Sequence, residues 1–142
     1  MKPWLLYALL SAVSAAFVSI FGKMGLAGID SNVATAVRAV IMALFLVGVA
    51  MVQGHLTEAA ALIADRKALL WIALSGIAGA VSWLFYFLAL RYGKVSEVAP
   101  IDKLSVVFAV LLAVLLFGER VSTVHAVAIG LIALGGILLA VF

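Results

Sequence analysis

Five stretches of this chain carry no Asp, Glu, Lys or Arg: residues 3–22, 39–57, 68–90, 104–118 and 121–142. Crossing the hydrocarbon of a bilayer as a helix takes about 20 mostly apolar residues. The first, third and fifth stretches meet that length outright. The second and fourth meet it once charged residues at their starts are allowed inside the membrane. Backbone groups in lipid must pair within their own segment, so the runs are helices rather than open strands. Helices are expected near 3–21, 32–52, 68–90, 95–117 and 121–141. The fold class is an all-α integral membrane protein with five transmembrane helices, in one domain over residues 1–142.

Composition agrees. The chain is 68% hydrophobic and 11% charged, against about 25% charged in an ordinary soluble domain. Too little polar surface exists to coat a soluble globule, so membrane lipid is the main solvent. The net charge of +3 is scattered, and nucleic-acid binding would need a basic patch or stripe. Cysteine is absent, which removes disulfides, thiolate metal sites and cysteine nucleophiles. His55 and His125 are too far apart in sequence for a metal-ligand motif. No nucleophile–base spacing or phosphate loop suggests an enzyme, and no cofactor is expected.

Met1-Lys2 followed by an apolar run and Ser14-Ala15-Ala16 resembles a signal peptide. The run continues through Phe17, Ile20 and Phe21, which suits a span better. Ser11, Ser14, Val18 and Ser19 share one face of this helix. They either permit close helix packing or form the polar wall of a cavity. Residues 22–31 read as a glycine-rich turn. Asp30, Ser31 or Asn32 can cap the second helix. Arg38 then falls about 9 Å inside that helix. Two readings fit it: snorkelling to the headgroups, or lining a site with Thr35 one turn earlier.

Residues 53–67 form the longest polar connection. Thr57-Glu58 can start a short interfacial helix with Leu56, Ala60 and Ile63 on its apolar side; Glu58, Asp65, Arg66 and Lys67 form its solvated face. In the third span, Ser75, Gly79, Ser82 and Tyr86 share a face. Trp83 and Tyr86 lie too deep for an interfacial belt, so they are candidates to line a site or to pack with their polar atoms satisfied locally. The fourth span is entered through Glu97, Asp102 and Lys103, which surround Pro100. If the helix begins at Pro100, that residue is N1 and Asp102 is N3, where a carboxylate suits the helix dipole; a start near Val95 gives more comfortable length and places Pro100 inside, where it frees the Ser96 carbonyl and kinks the span. Interrupted helices build midplane sites in transporters. The last span presents Gly130, Gly135 and Gly136 as a smooth side suited to association.

The positively charged residues are nearly balanced between the two sides. Lys2, Arg66, Lys67 and Arg120 share one side, and Lys23, Arg91 and Lys94 the other, with Arg38 and Lys103 near the latter. Lys/Arg asymmetry in short loops sets orientation, so either a partner or later charges fix the orientation, or the chain inserts both ways.

The pattern Gly79…Trp83…Tyr86…Ala89-Leu90, Glu97-Val98-Ala99-Pro100-Ile101, Phe117-Gly118-Glu119-Arg120 and Gly130…Gly135-Gly136 resembles the EamA domain of the drug/metabolite transporter superfamily. Phe21-Gly22-Lys23 with Thr35…Arg38 resembles its short, five-helix members. The resemblance covers nearly the whole chain. It implies one EamA-type half-transporter bundle, because typical members have ten helices in two inverted halves. Four helices of each half surround a cavity, and the fifth joins the halves. A five-helix chain would pair antiparallel with itself, as a homodimer, or with a similar short protein as a heterodimer. Gly130, Gly135 and Gly136 would then form the dimer interface. The implied activity is secondary transport of a small-molecule substrate, as exporter or exchanger, in the inner (plasma) membrane of a bacterial or archaeal cell. Arg38, Trp83, Tyr86, Asp102, Lys103, Glu97, Ser11 and Ser14 are the candidate substrate-binding residues. A membrane subunit without transport activity is the alternative.

Overall fold

The computed structural model describes residues 3–141. Met1, Lys2, Phe142 and the Leu56 side chain, which entered the signal-peptide, charge-balance and interfacial-helix expectations, lie outside what it describes. Seven helices follow in order: α1 Pro3–Gly25, α2 Ser31–Val52, α3 Leu56–Ala64, α4 Arg66–Tyr92, α5 Val95–Asp102, α6 Leu104–Phe117 and α7 Thr123–Val141. Five segments are long and apolar enough to cross a membrane: α1, α2, α4, α5 with α6 as one interrupted span, and α7. The chain is an all-α integral membrane protein with five transmembrane helices.

Helix ends follow local chemistry. Asp30 caps α2, its Oδ1 accepting the N–H groups of Asn32 at 2.9 Å and Val33 at 3.3 Å. Those two bonds, then the Arg91 guanidinium, hold its carboxyl below the ordinary aspartate range. Asp65 caps α4 in the same way, accepting from Lys67 at 3.0 Å and Ala68 at 3.2 Å. It therefore starts α4 at Arg66, while Glu58, Asp65, Arg66 and Lys67 are all exposed, as expected of a solvated face. Ser122 Oγ accepts the N–H of His125 at 3.4 Å, capping α7, so residues 121–122 stand outside a helix expected to include them.

α1 runs four residues past the expected end at residue 21. Lys23 explains the extension. A cation suits the last turn of a helix, and its Nζ donates to the carbonyl oxygen of Leu90. The turn that remains includes Gly28 at φ +74°, a left-handed conformation that glycine adopts without penalty.

The interruption of the fourth span falls at Lys103, three residues after Pro100. Pro100 has no N–H to offer Ser96. The Lys103 N–H instead bonds to the Pro100 carbonyl at 3.1 Å, and that of Val106 to Lys103 at 3.0 Å, both tighter than α-helical spacing. The proline is thus inside the span, and the irregular turn it provokes follows it.

The chain divides into two units: Met1–Phe21 with Tyr92–Phe142, and Gly22–Arg91. In the first, α7 packs on α5 and α6. Leu104 lies against Gly136, which has no side chain to hold it away. In the second, Gly22 lets the Phe87 ring approach; a Cβ there would stand 3.1 Å from its Cζ. Arg91 Nη1 meets Asp30 Oδ2 at 3.2 Å, tying the start of α2 to the end of α4. Leu26, Phe87 and Leu90 are the buried apolar residues among those described. Most other large hydrophobic side chains are exposed, as lipid-facing surface must be.

Candidate functional site

The unit spanning Gly22–Arg91 holds an open groove of about 710 Å³ between α2 and α4. The Asp30–Arg91 tie makes these helices antiparallel. Arg38, Met42 and Leu46 line it from α2 at i, i+4 and i+8. Gly76, Gly79 and Trp83 line it from α4. Glycines at two of these positions leave the volume that larger side chains would fill. The lining row of α4 is turned by about one residue from the expected Ser75–Gly79–Ser82–Tyr86 face.

Arg38 is the charged residue of this groove. Its guanidinium carbon sits 3.7 Å from the centroid of the Trp83 ring and 5.3 Å from that of Phe87. A planar, weakly hydrated guanidinium stacks well on an aromatic face, and the contact is worth about 0.5–2 kcal/mol. Trp83 is itself held by edge-on contacts to Tyr86 at 5.5 Å and Phe87 at 5.9 Å. Arg38, Trp83 and Tyr86 therefore stand together, as three of the residues nominated from sequence. Phe87 completes the cluster and was missed. Its signal was its position four residues after Trp83, on the same face of α4. Thr35 lines the groove, but its hydroxyl donates to the Ser31 carbonyl at 2.7 Å.

The remaining candidates belong to the other unit. Lys103 Nζ lies 3.3 Å from Asp102 Oδ2, at the interruption of the fourth span. Glu97 stands at the third position of α5, where Oε2 accepts the Lys94 N–H at 3.3 Å and Oε1 pairs with Lys94 Nζ at 3.4 Å. This is the carboxylate half of a capping box. Ser11 and Ser14 are exposed on α1, and the Ser14 hydroxyl donates to the Leu10 carbonyl at 2.9 Å. Of the three α7 glycines, Gly136 is buried on Leu104 within the chain, while Gly130 and Gly135 are exposed. Gly130 also lines an apolar groove of about 420 Å³ between α6 and α7.

The family model of the EamA-like transporters matches residues 2–141. The chain belongs to the EamA-like transporter family. A protein of Sinorhizobium sp, described as an uncharacterized transporter in cobO 3'region, is 38% identical over 141 residues, covering 99% of each chain. No solved structure matches the chain. The EamA assignment points to a transporter of the drug/metabolite superfamily rather than an enzyme. With five spans, the chain corresponds to a half-size EamA protein.

Proposed function

We propose that this protein is a secondary-active exporter or exchanger of small metabolites or drugs, working by alternating access as an antiparallel dimer in a bacterial or archaeal plasma membrane. The observation that carries the reading is Arg38. It lies within a span, on the face of Trp83, at an open groove. A cation at that depth is expensive unless it serves a substrate or ion path.

In this reading the whole chain acts as one half-transporter. Arg38, Trp83 and Tyr86 of each copy contact substrate, and Ser11 and Ser14 contribute polar wall. Asp102, Lys103 and Glu97 balance charge or carry a coupling proton. Gly130 and Gly135 are the α7 positions open to a partner helix, since Gly136 is occupied by Leu104. The near balance of basic residues on the two sides supports insertion in both orientations.

The test is a single cysteine at Gly130, crosslinked in native membranes, with cysteines at the two termini labelled from each side. A crosslinked homodimer with two-sided labelling is the expected outcome. No homodimer would direct the search to a second short partner of the same family. Uptake into proteoliposomes then tests transport itself.

A second reading has one observation in its favour. Asp102–Lys103 and Lys94–Glu97 are paired within the chain, as charges that merely fix helix register would be. A membrane subunit without transport activity would lose assembly when Asp102 and Lys103 are neutralised, and would show flux under no condition.

A further inference from the structure

Within the Gly22–Arg91 unit, Arg38 has no carboxylate partner among the described residues, and the acidic side chains of that unit are engaged elsewhere. Asp30 pairs with Arg91, Glu58 with His55, Glu97 with Lys94 and Asp102 with Lys103. Asp65 caps α4. Glu119 lies in the polar segment after α6. No acidic residue lines the α2–α4 groove. Beyond Arg38 the lining is apolar or small, through Met42 and Leu46 on one wall and Gly79 and Gly76 on the other. The distance from Arg38 to Leu46 along α2 is about 12 Å.

A groove with one unpaired cation at one end and an apolar body selects by charge and by shape. We infer that its occupant is an amphipathic organic monoanion, with the carboxylate or equivalent head at Arg38 and an apolar body lying along α2 toward Leu46. This rests on the transporter reading for the occupant's role as cargo, and it narrows the substrate class. Lipophilic cations are repelled from this groove by Arg38.

A resident phospholipid shares the chemistry but not the depth. Arg38 lies about 10 Å beyond Ser31, past the first two turns of α2. A lipid phosphate held at the interface would sit instead beside the Asp30–Arg91 pair, which offers no unpaired cation. A free single-chain anion can bring its head to Arg38.

The test uses Trp4→Phe/Trp71→Phe protein in phosphatidylcholine vesicles, leaving Trp83 as the fluorophore. A series of linear alkyl carboxylates is titrated beside alkylammonium ions of the same lengths. Carboxylate affinity should rise roughly fourfold per methylene and then level off once the body reaches Leu46. Leu46→Trp should bring that plateau to a shorter chain. Arg38→Gln should weaken every carboxylate at least tenfold, and alkylammonium ions should give no saturable response. Calorimetry on the unsubstituted protein gives the same series if the tryptophan variant fails to insert.

Equal binding of alkylammonium ions, no dependence on chain length, or indifference to Arg38→Gln would each overturn the proposal. Loss of the Trp83 response on replacing phosphatidylcholine with phosphatidylglycerol would assign the groove to lipid and overturn it too. Counterflow of the bound carboxylate separates the two readings. Binding without counterflow leaves this occupant in place and overturns transport. Uptake of another cargo, unaffected by Arg38→Gln, overturns the occupant and leaves transport standing.

Discussion

A Cβ placed on Gly136 would stand 2.7 Å from Leu104 Cδ2 and 3.0 Å from its Cγ. Leu104 is the first residue after the interruption of the fourth span, so the contact seats the start of α6 on α7. Gly136→Ala should destabilise the protein by a net amount of up to about 2 kcal/mol, overpacking against Leu104 offsetting a helix-propensity gain of roughly 1 kcal/mol. Unfolding by detergent titration measures it. Leu104→Ala should suppress the added loss in the double variant, whereas Gly135→Ala, with open space around it, should not destabilise.

Arg38 and Trp83 predict a graded series. Arg38→Lys keeps the charge and loses the planar stack. It should weaken substrate affinity roughly 2- to 5-fold, the equivalent of one exposed cation–π contact, and so less than Arg38→Gln does. Trp83→Phe should fall between the parent and Trp83→Leu. Uptake measured across a range of substrate concentrations checks the order. If Arg38→Lys matched Arg38→Gln, charge would be irrelevant to the site.

Asp102 tests coupling. If it carries the coupling proton, Asp102→Asn should abolish uptake driven by a pH gradient while substrate exchange continues. Loss of both activities, or of neither, would remove Asp102 from that role and favour its pairing with Lys103 as a structural device.

Asp30 gives a pH dependence. Its folded carboxyl titrates below the ordinary value of 3.8, so the unfolded chain takes up the proton first as pH falls. The stabilisation is fully present above that value and is lost below it, as pH drops through the lowered folded pKa. Asp30→Asn, which keeps a capping side chain but loses the charge, should flatten this acid limb. Thermal unfolding in detergent between pH 5 and 2, roughly the interval over which a lowered aspartate titrates, would show it.

The spans were legible because an uncharged run of sufficient length has few other fates in a chain this apolar. Asp30 was legible as a cap for a similar reason: it stands between a glycine-rich turn and a long apolar run. Asp65 was not, because Glu58, Arg66 and Lys67 around it read equally well as a solvated surface. Pro100 marked the interruption of the fourth span, but the break's position at Lys103 depends on which carbonyls the following N–H groups find. Arg38, Trp83 and Tyr86 could be nominated from their depth alone. The row of α4 that faces the groove could not, since it depends on helix rotation. That rotation exchanges Ser75 for Gly76 and brings Phe87 to the guanidinium. Gly136 was read as part of a smooth outer side for the same reason.

In the Gly22–Arg91 unit the close of α4 is held most firmly. Asp30 pairs with Arg91 and Arg38 stacks on Trp83 to join α2 to α4, while the Lys23 bond to Leu90 and the seat of Phe87 on Gly22 join the end of α1 to the same part of α4. At the opposite end the chain passes from α2 to α4 through residues 53–65, which include α3. Two rods pinned at one tip behave as tweezers. A small change of angle at the pin moves Leu46 and Gly76 about twice as far as it moves Arg38 and Trp83. The head of an occupant would therefore sit near the fulcrum, and its far end would set how wide the jaws stand.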